Sequence, residues 1–138
     1  MIDKIESLQD PALLQLCEAG SFAFIIDNDG REFEIDKTQI AFYLAENKKT
    51  VKVEGLESVF IQYKPKTVHL YIAPQNAASF GLHCDPYNVI IHVMFGKKTF
   101  IIDGKDIVVN ANETITIPAN VEHAATNNYD SVMLSIGD

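Results

Sequence analysis

From Thr50 onward, apolar and polar residues alternate in short runs: TVKVEG, SVFIQYK, TVHLYIA, NVIIHVMF, TFIID, DIVV, TITIP, EHAAT and SVMLSI. A period of two sends successive side chains to opposite faces, so each run predicts a short strand. Turn residues divide the runs at Lys64-Pro65, Ala73-Pro74, Phe95-Gly96, Asp103-Gly104 and Asn110-Ala111-Asn112. Many short strands at this spacing predict an antiparallel sandwich or small barrel rather than βαβ units. The preceding stretch is mixed. Asp10-Pro11 has the signature of a helix start, with Asp as cap and Pro in the first turn. Leu13, Leu14, Leu16 and Cys17 form its apolar stripe, which ends near Gly20. Ser21–Ile26 predicts a strand, Asn28-Asp29-Gly30 a turn and Glu32–Ile35 a second strand. Thr38–Glu46 predicts a helix with Ile40, Tyr43 and Leu44 on one face. The expected organisation is mainly β: one domain over residues 1–138, with a mixed lead-in (1–49) followed by a β-barrel (50–138).

Composition narrows the partners. The 138 residues suffice for one core, and 47% hydrophobic with 22% charged residues is an ordinary folded balance. Nineteen acidic against 11 basic residues give a net charge of -8, a field that repels phosphate. Nucleic acid and anionic membranes are therefore excluded as expected partners. The only arginine is Arg31. Cys17 and Cys84 are too few for a disulfide scaffold, and the opening MIDKIESLQD lacks a secretion pattern. No apolar stretch approaches the roughly 20 residues that span a bilayer. A cytoplasmic location is the resulting expectation.

Chemistry concentrates around the histidines His69, His83, His92 and His123. In Gly81-Leu82-His83-Cys84-Asp85 an extended backbone would send His83 and Asp85 to the same face. His123 follows a corner at Pro118-Ala119-Asn120 and begins a new strand, which makes it a candidate third ligand. Two imidazoles and one carboxylate with open positions suit non-haem Fe(II) and its reaction with dioxygen. A polar turn at a strand end is the competing reading of His-x-Asp alone. Cys84 points away by the same alternation, and His92 should face the opposite side from Asp85. His69, Tyr87 and the Phe80, Phe95 and Phe100 set read as core or surface residues, with one ring free to stack on substrate.

The framing of these residues resembles the two cupin motifs. The first runs Ala77-x5-His83-x-Asp85-x3-Val89-x6-Gly96, and the second Asn112-x5-Pro118-x-Asn120-x2-His123-x3-Asn127. Every interval of the family pattern is kept. Ala77, Asn112 and Asn120 replace glycines, Asp85 replaces a histidine and Val89 a glutamate. An aspartate in that slot resembles the JmjC-like branch of iron- and 2-oxoglutarate-dependent oxygenases, and the likeness covers about Val68 to Ile136. It implies a double-stranded β-helix (jelly-roll) barrel. It also implies an Fe(II) site of His83, Asp85 and His123 that uses 2-oxoglutarate and O2 to hydroxylate a C–H bond. Halogenation is disfavoured because Asp85 leaves no place for a halide.

The same resemblance matches Lys98 to the lysine that holds the far carboxylate of 2-oxoglutarate. Alternation in Lys97-Lys98-Thr99-Phe100-Ile101-Ile102 groups Lys98 with Phe100 and Ile102, the more apolar set, while a solvated lysine pair after a turn stays open. Tyr71, Ser79 and Asn127 are further candidates to bond the cosubstrate, against readings as core tyrosine, loop serine and turn asparagine. The barrel leaves little material for a lid, so a small peptide or amino-acid-derived substrate is expected, with a homodimer through a sheet edge. Two alternatives remain: a metal-dependent cupin dioxygenase or isomerase without 2-oxoglutarate, and a non-catalytic binding module.

Overall fold

The computed structural model describes residues 4–61 and 64–137. Helix α1 (Pro11–Glu18) begins where the sequence signals it: Asp10 is extended, and its side chain accepts the N–H of Ala12. Strands β1 (Phe22–Ile26) and β2 (Glu32–Ile35) form a hairpin. The Asp27 carboxylate accepts the N–H groups of Asp29 and Arg31 across its turn. A 3-10 turn at Lys37–Gln39, closed by a capping box between Asp36 and Gln39, leads into α2 (Ile40–Glu46). The predicted helix from Thr38 is thus split, its first turn being the tighter form.

Seven further strands follow: β3 (Thr50–Glu54), β4 (Thr67–Ala73), β5 (Val89–Ile102), β6 (Lys105–Asn110), β7 (Thr114–Ile117), β8 (His123–Thr126) and β9 (Ser131–Gly137). All pairings among the described residues are antiparallel, in the order β2-β1-β3-β4-β9-β5-β6, with β7 and β8 also paired to β5. The lead-in belongs to this sheet, because β1 pairs with β3 and sets Ala23 opposite Val53. Alternation decides which side each residue serves. Val51, Val53, Leu70 and Ile72 bury under α1 and α2 with Leu13, Leu16 and Ile40. Tyr71, Val89, Ile91, Phe100 and Met133 pack in the second cluster. Each buried aliphatic or aromatic side chain contributes about 1.5–3 kcal/mol. No described helix is long and apolar enough to cross a membrane.

Two strand expectations are corrected. Phe95-Gly96 is not a turn: β5 runs through it, with a register shift between Val93 and Phe95 and Gly96 at φ 71°. A Cβ at Gly96 would lie 1.8 Å from the Asp130 carbonyl oxygen, so glycine here marks a bulge and a close backbone approach. SVFIQYK forms no strand in its described residues, where Ser58 and Val59 lie in a turn and Ile61 in a 3-10 segment; Gln62 and Tyr63 lie outside the described residues. Among the described residues its alternation meets no partner strand.

Candidate metal centre

His83 lies in the segment between β4 and β5, and His123 opens β8. The two form an isolated antiparallel bridge. The His83 N–H donates to the His123 carbonyl at 3.0 Å, and the His123 N–H donates back at 2.8 Å. This doubly bonded pair brings both imidazoles together, with ring centroids 4.4 Å apart. Asp85 is drawn in by a third backbone bond, from the Asn120 N–H to its carbonyl at 2.7 Å. The Asp85 Oδ2 lies 3.6 Å from His83 Nε2 and 3.5 Å from His123 Nε2. One ligand atom from each of the three residues falls within 4.8 Å of the others.

The donor set fits a divalent metal on orientation as well as proximity. His83 Nδ1 is 2.8 Å from the Gly81 carbonyl oxygen, and His123 Nδ1 is 3.0 Å from that of Val121. A carbonyl only accepts, so each Nδ1 carries a proton, and in the neutral imidazole the lone pair is left on the Nε2 that faces Asp85. His123 is buried, His83 is exposed, and Asp85 lies between these extremes. The centre is therefore firmly seated on one side and reachable from the other. The asparagines standing at two glycine positions of the motif are explained here: Asn112 and Asn120 have φ of 69° and 66°. Asparagine is among the residues that best tolerate this left-handed backbone.

The triad opens on a cavity of about 410 Å³. Tyr71 lines it, and burial pushes its phenol up to about 12, leaving a neutral hydroxyl group. Phe80 links Tyr71 to the centre, with ring centroids 5.5 Å from Tyr71 and 5.2 Å from His83. Lys98, Asn127 and Ser79 are not on the cavity wall. Lys98 faces inward beside Phe100, at 1% exposure, while Lys97 is exposed over the Tyr129 ring. Its ammonium donates to Asn127 Oδ1. The Asn127 amide in turn donates to the carbonyls of Ala77 and Ala78 and to Thr50 Oγ1. Asn127 thus ties β8 to the loop that leads to His83, a larger role than capping a turn. Burial pulls Lys98 down to about 7.

His92 bonds Thr114 Oγ1 at 2.8 Å and does not line the cavity, and Cys84 is exposed and outside the ligand group. The chain is not one strand from Asp85 to His92, since it bends at Pro86 and Tyr87 before β5 begins. His69, expected as a core or surface residue, lines the cavity. Its Nε2 is 3.9 Å from Glu54, and burial and the Lys52 charge hold its pKa below the ordinary histidine value. Sequence reasoning passed over Lys52 and Glu32, which share that wall. The available signal was a lysine inside the apolar alternation of TVKVEG, in phase with Thr50 and Glu54.

With this geometry in hand, comparison with known proteins places the chain. A family model described as Cupin domain matches residues 68–137, and the chain belongs to that family. A search of curated proteins finds no match. Among solved structures, YcfD, a ribosomal oxygenase from Escherichia coli in complex with cobalt and 2-oxoglutarate, is similar at 15% identity and a TM-score of 0.71. That likeness covers 99% of this chain and 44% of YcfD, so the chain spans less than half of that protein. A predicted oxalate decarboxylase from Thermotoga maritima is similar at 20% identity and a TM-score of 0.54, covering 64% of this chain and 79% of the other. KdgF from Halomonas sp. is similar at 12% identity and 0.53, covering 64% and 76%. These likenesses establish a shared fold.

Proposed function

We propose that this cupin is an Fe(II)- and 2-oxoglutarate-dependent oxygenase acting on a C–H bond of a small peptide or amino-acid-derived substrate. The observation that carries the reading is the set of two Nε2 atoms and one carboxylate oxygen, oriented by carbonyls and opening on a cavity. Bound Fe(II) supplies dioxygen activation coupled to decarboxylation of the 2-oxo acid, giving succinate and carbon dioxide. His83 and His123 would hold the metal, and Asp85 would neutralise part of its charge; oxygen and nitrogen donors favour iron over soft-ligand metals. The aromatic wall of Tyr71 and Phe80 would exclude water from the reacting carbon. Likeness to YcfD across nearly the whole chain supports the choice, since YcfD is recorded with cobalt and either 2-oxoglutarate or succinic acid.

Lys98 and Asn127 are assigned to the far carboxylate of the cosubstrate, with Tyr71 and Ser79 as further bonding partners. The support is a charge imbalance. Among the described residues no carboxylate pairs with Lys98, and a buried ammonium held only by an amide is an incomplete arrangement. A bound carboxylate would complete it. One observation favours a second reading, a metal-dependent cupin without 2-oxoglutarate: Lys98 lies off the cavity wall. Anaerobic titration with Fe(II) and 2-oxoglutarate separates the two. The oxygenase shows a metal-to-ligand charge-transfer band that needs both components, whereas the second reading binds metal and shows no such band.

A further inference from the structure

The cavity wall carries a charged group that the metal chemistry does not use. Lys52 stands on β3 between Val51 and Val53, and alternation turns it to the opposite side of the sheet from those core residues. Its Nζ lies 2.6 and 3.2 Å from the two Glu32 carboxylate oxygens and 2.8 Å from Glu54 Oε2. It also lies 5.5 Å from the Phe24 ring centroid and 5.9 Å from that of Tyr71. Lys52 and Glu32 both line the cavity of the triad, while Glu54 does not. The ligand therefore meets a cation and a carboxylate side by side.

The signs restrict what can bind. One lysine and two glutamates leave this cluster with an excess negative charge, so a simple anion is repelled. A simple cation would lie against the Lys52 ammonium. Neighbouring opposite charges are matched by neighbouring opposite charges, the ammonium and carboxylate of an α-amino acid. An ammonium has three N–H donors; Glu32 Oε1 and Glu54 Oε2 lie close at 2.6 and 2.8 Å, and the second Glu32 oxygen, at 3.2 Å, is the contact a ligand carboxylate would replace. From Lys52 toward the centre run the rings of Tyr71 and Phe80, and Val89 and Ile91 add apolar surface to a wall that also carries Thr67, His69 and Ser135. That stretch suits a hydrocarbon side chain.

We propose that the cavity binds a free α-amino acid with an apolar side chain, its carboxylate on Lys52, its ammonium on Glu32 and its side chain along the Tyr71–Phe80 wall toward the triad. The inference rests on the cavity being the substrate site, but binding requires neither metal nor turnover. The test is calorimetric titration of the metal-free protein with L-leucine, L-phenylalanine, N-acetyl-L-leucine and L-leucinamide. The free amino acids should bind at least tenfold more tightly than either capped form, and Glu32→Gln and Lys52→Met should each weaken L-leucine at least tenfold. Equal binding of a capped form, no binding of any probe, or unchanged binding by both variants would overturn the proposal. Glu32→Gln keeps the Lys52–Glu54 pair, and the capped probes use the unaltered protein, so the result does not hang on Lys52→Met folding. Succinate formation with no amino-acid binding rejects only the substrate assignment. Amino-acid binding without succinate formation rejects only the oxygenase.

Discussion

Lys52 and Lys98 are both buried lysines on β-strands, and their surroundings are opposite. Burial opposes the Lys52 charge, yet the Tyr71 phenolate that forms at high pH and the carboxylates of Glu32 and Glu54 outweigh it and hold its pKa above the ordinary lysine value. Among the described residues Lys98 has only the Asn127 carbonyl, and burial lowers it to about 7. Burial alone therefore does not reveal what a cation is for; the counter-charge does. Lys52 is neutralised without a ligand, and a ligand carboxylate would have only its longest contact, the 3.2 Å one to Glu32, to replace. Among the described residues no anion pairs with Lys98, and a ligand carboxylate would supply one.

The largest expected effect breaks the Lys98 side of this contrast. Lys98→Met should weaken 2-oxoglutarate binding to the Fe(II)-loaded protein at least hundredfold while leaving Fe(II) affinity unchanged, read by anaerobic titration. An unchanged 2-oxoglutarate affinity would move the assignment to the metal-only cupin. Next is the backbone that delivers Lys98 to the interior. Gly96→Ala should cost at least about 3 kcal/mol in urea unfolding, because a positive φ and a 1.8 Å approach to the Asp130 oxygen add together.

A third effect reads the Lys98 charge directly. Between about 7 and the ordinary lysine pKa, the unfolded chain holds a proton at this position that the folded chain does not. Folding stability of the ligand-free protein should therefore rise with pH across that window, by about 1 kcal/mol per pH unit from this group. The dependence should be flatter in Lys98→Met, by thermal unfolding at several pH values. The smallest effect belongs to Lys52: Glu32→Gln should cost less than about 1 kcal/mol, diminishing with salt, because the Glu32 side chain is 40% exposed. A larger or salt-independent loss would mean that the pair holds the fold rather than serving the cavity.

The contrast between the lysines also shows what could be read from the sequence. Two local signals were legible, the Asp10-Pro11 helix start and the alternation that turned Lys98 inward with Phe100, whereas Asn112 and Asn120 read only as departures from the motif glycines until their positive φ was seen. The triad was legible through the cupin-like spacing that frames His83, Asp85 and His123, since His-x-Asp alone reads equally as a polar turn; the bridge between His83 and His123 joins the two motifs. Three features were not. The continuity of β5 through Gly96 depends on the distant Asp130 carbonyl, and glycine reads locally as a turn. SVFIQYK has strand-like alternation, but its described residues find no neighbour to pair with. The Lys52–Glu32 pair depends on β1 lying between β2 and β3, a register that no short window contains.

The central claim is that His83, Asp85 and His123 hold an iron that consumes 2-oxoglutarate. Its most direct test is succinate formation under air by the protein loaded with Fe(II) and supplied with 2-oxoglutarate, alongside Asp85→Ala. The account predicts succinate above the protein-free control from the wild type and none from the variant, with the variant's Fe(II) affinity reduced at least hundredfold. Fe(II) binding by the wild type without succinate, or equal succinate from both proteins, would contradict it.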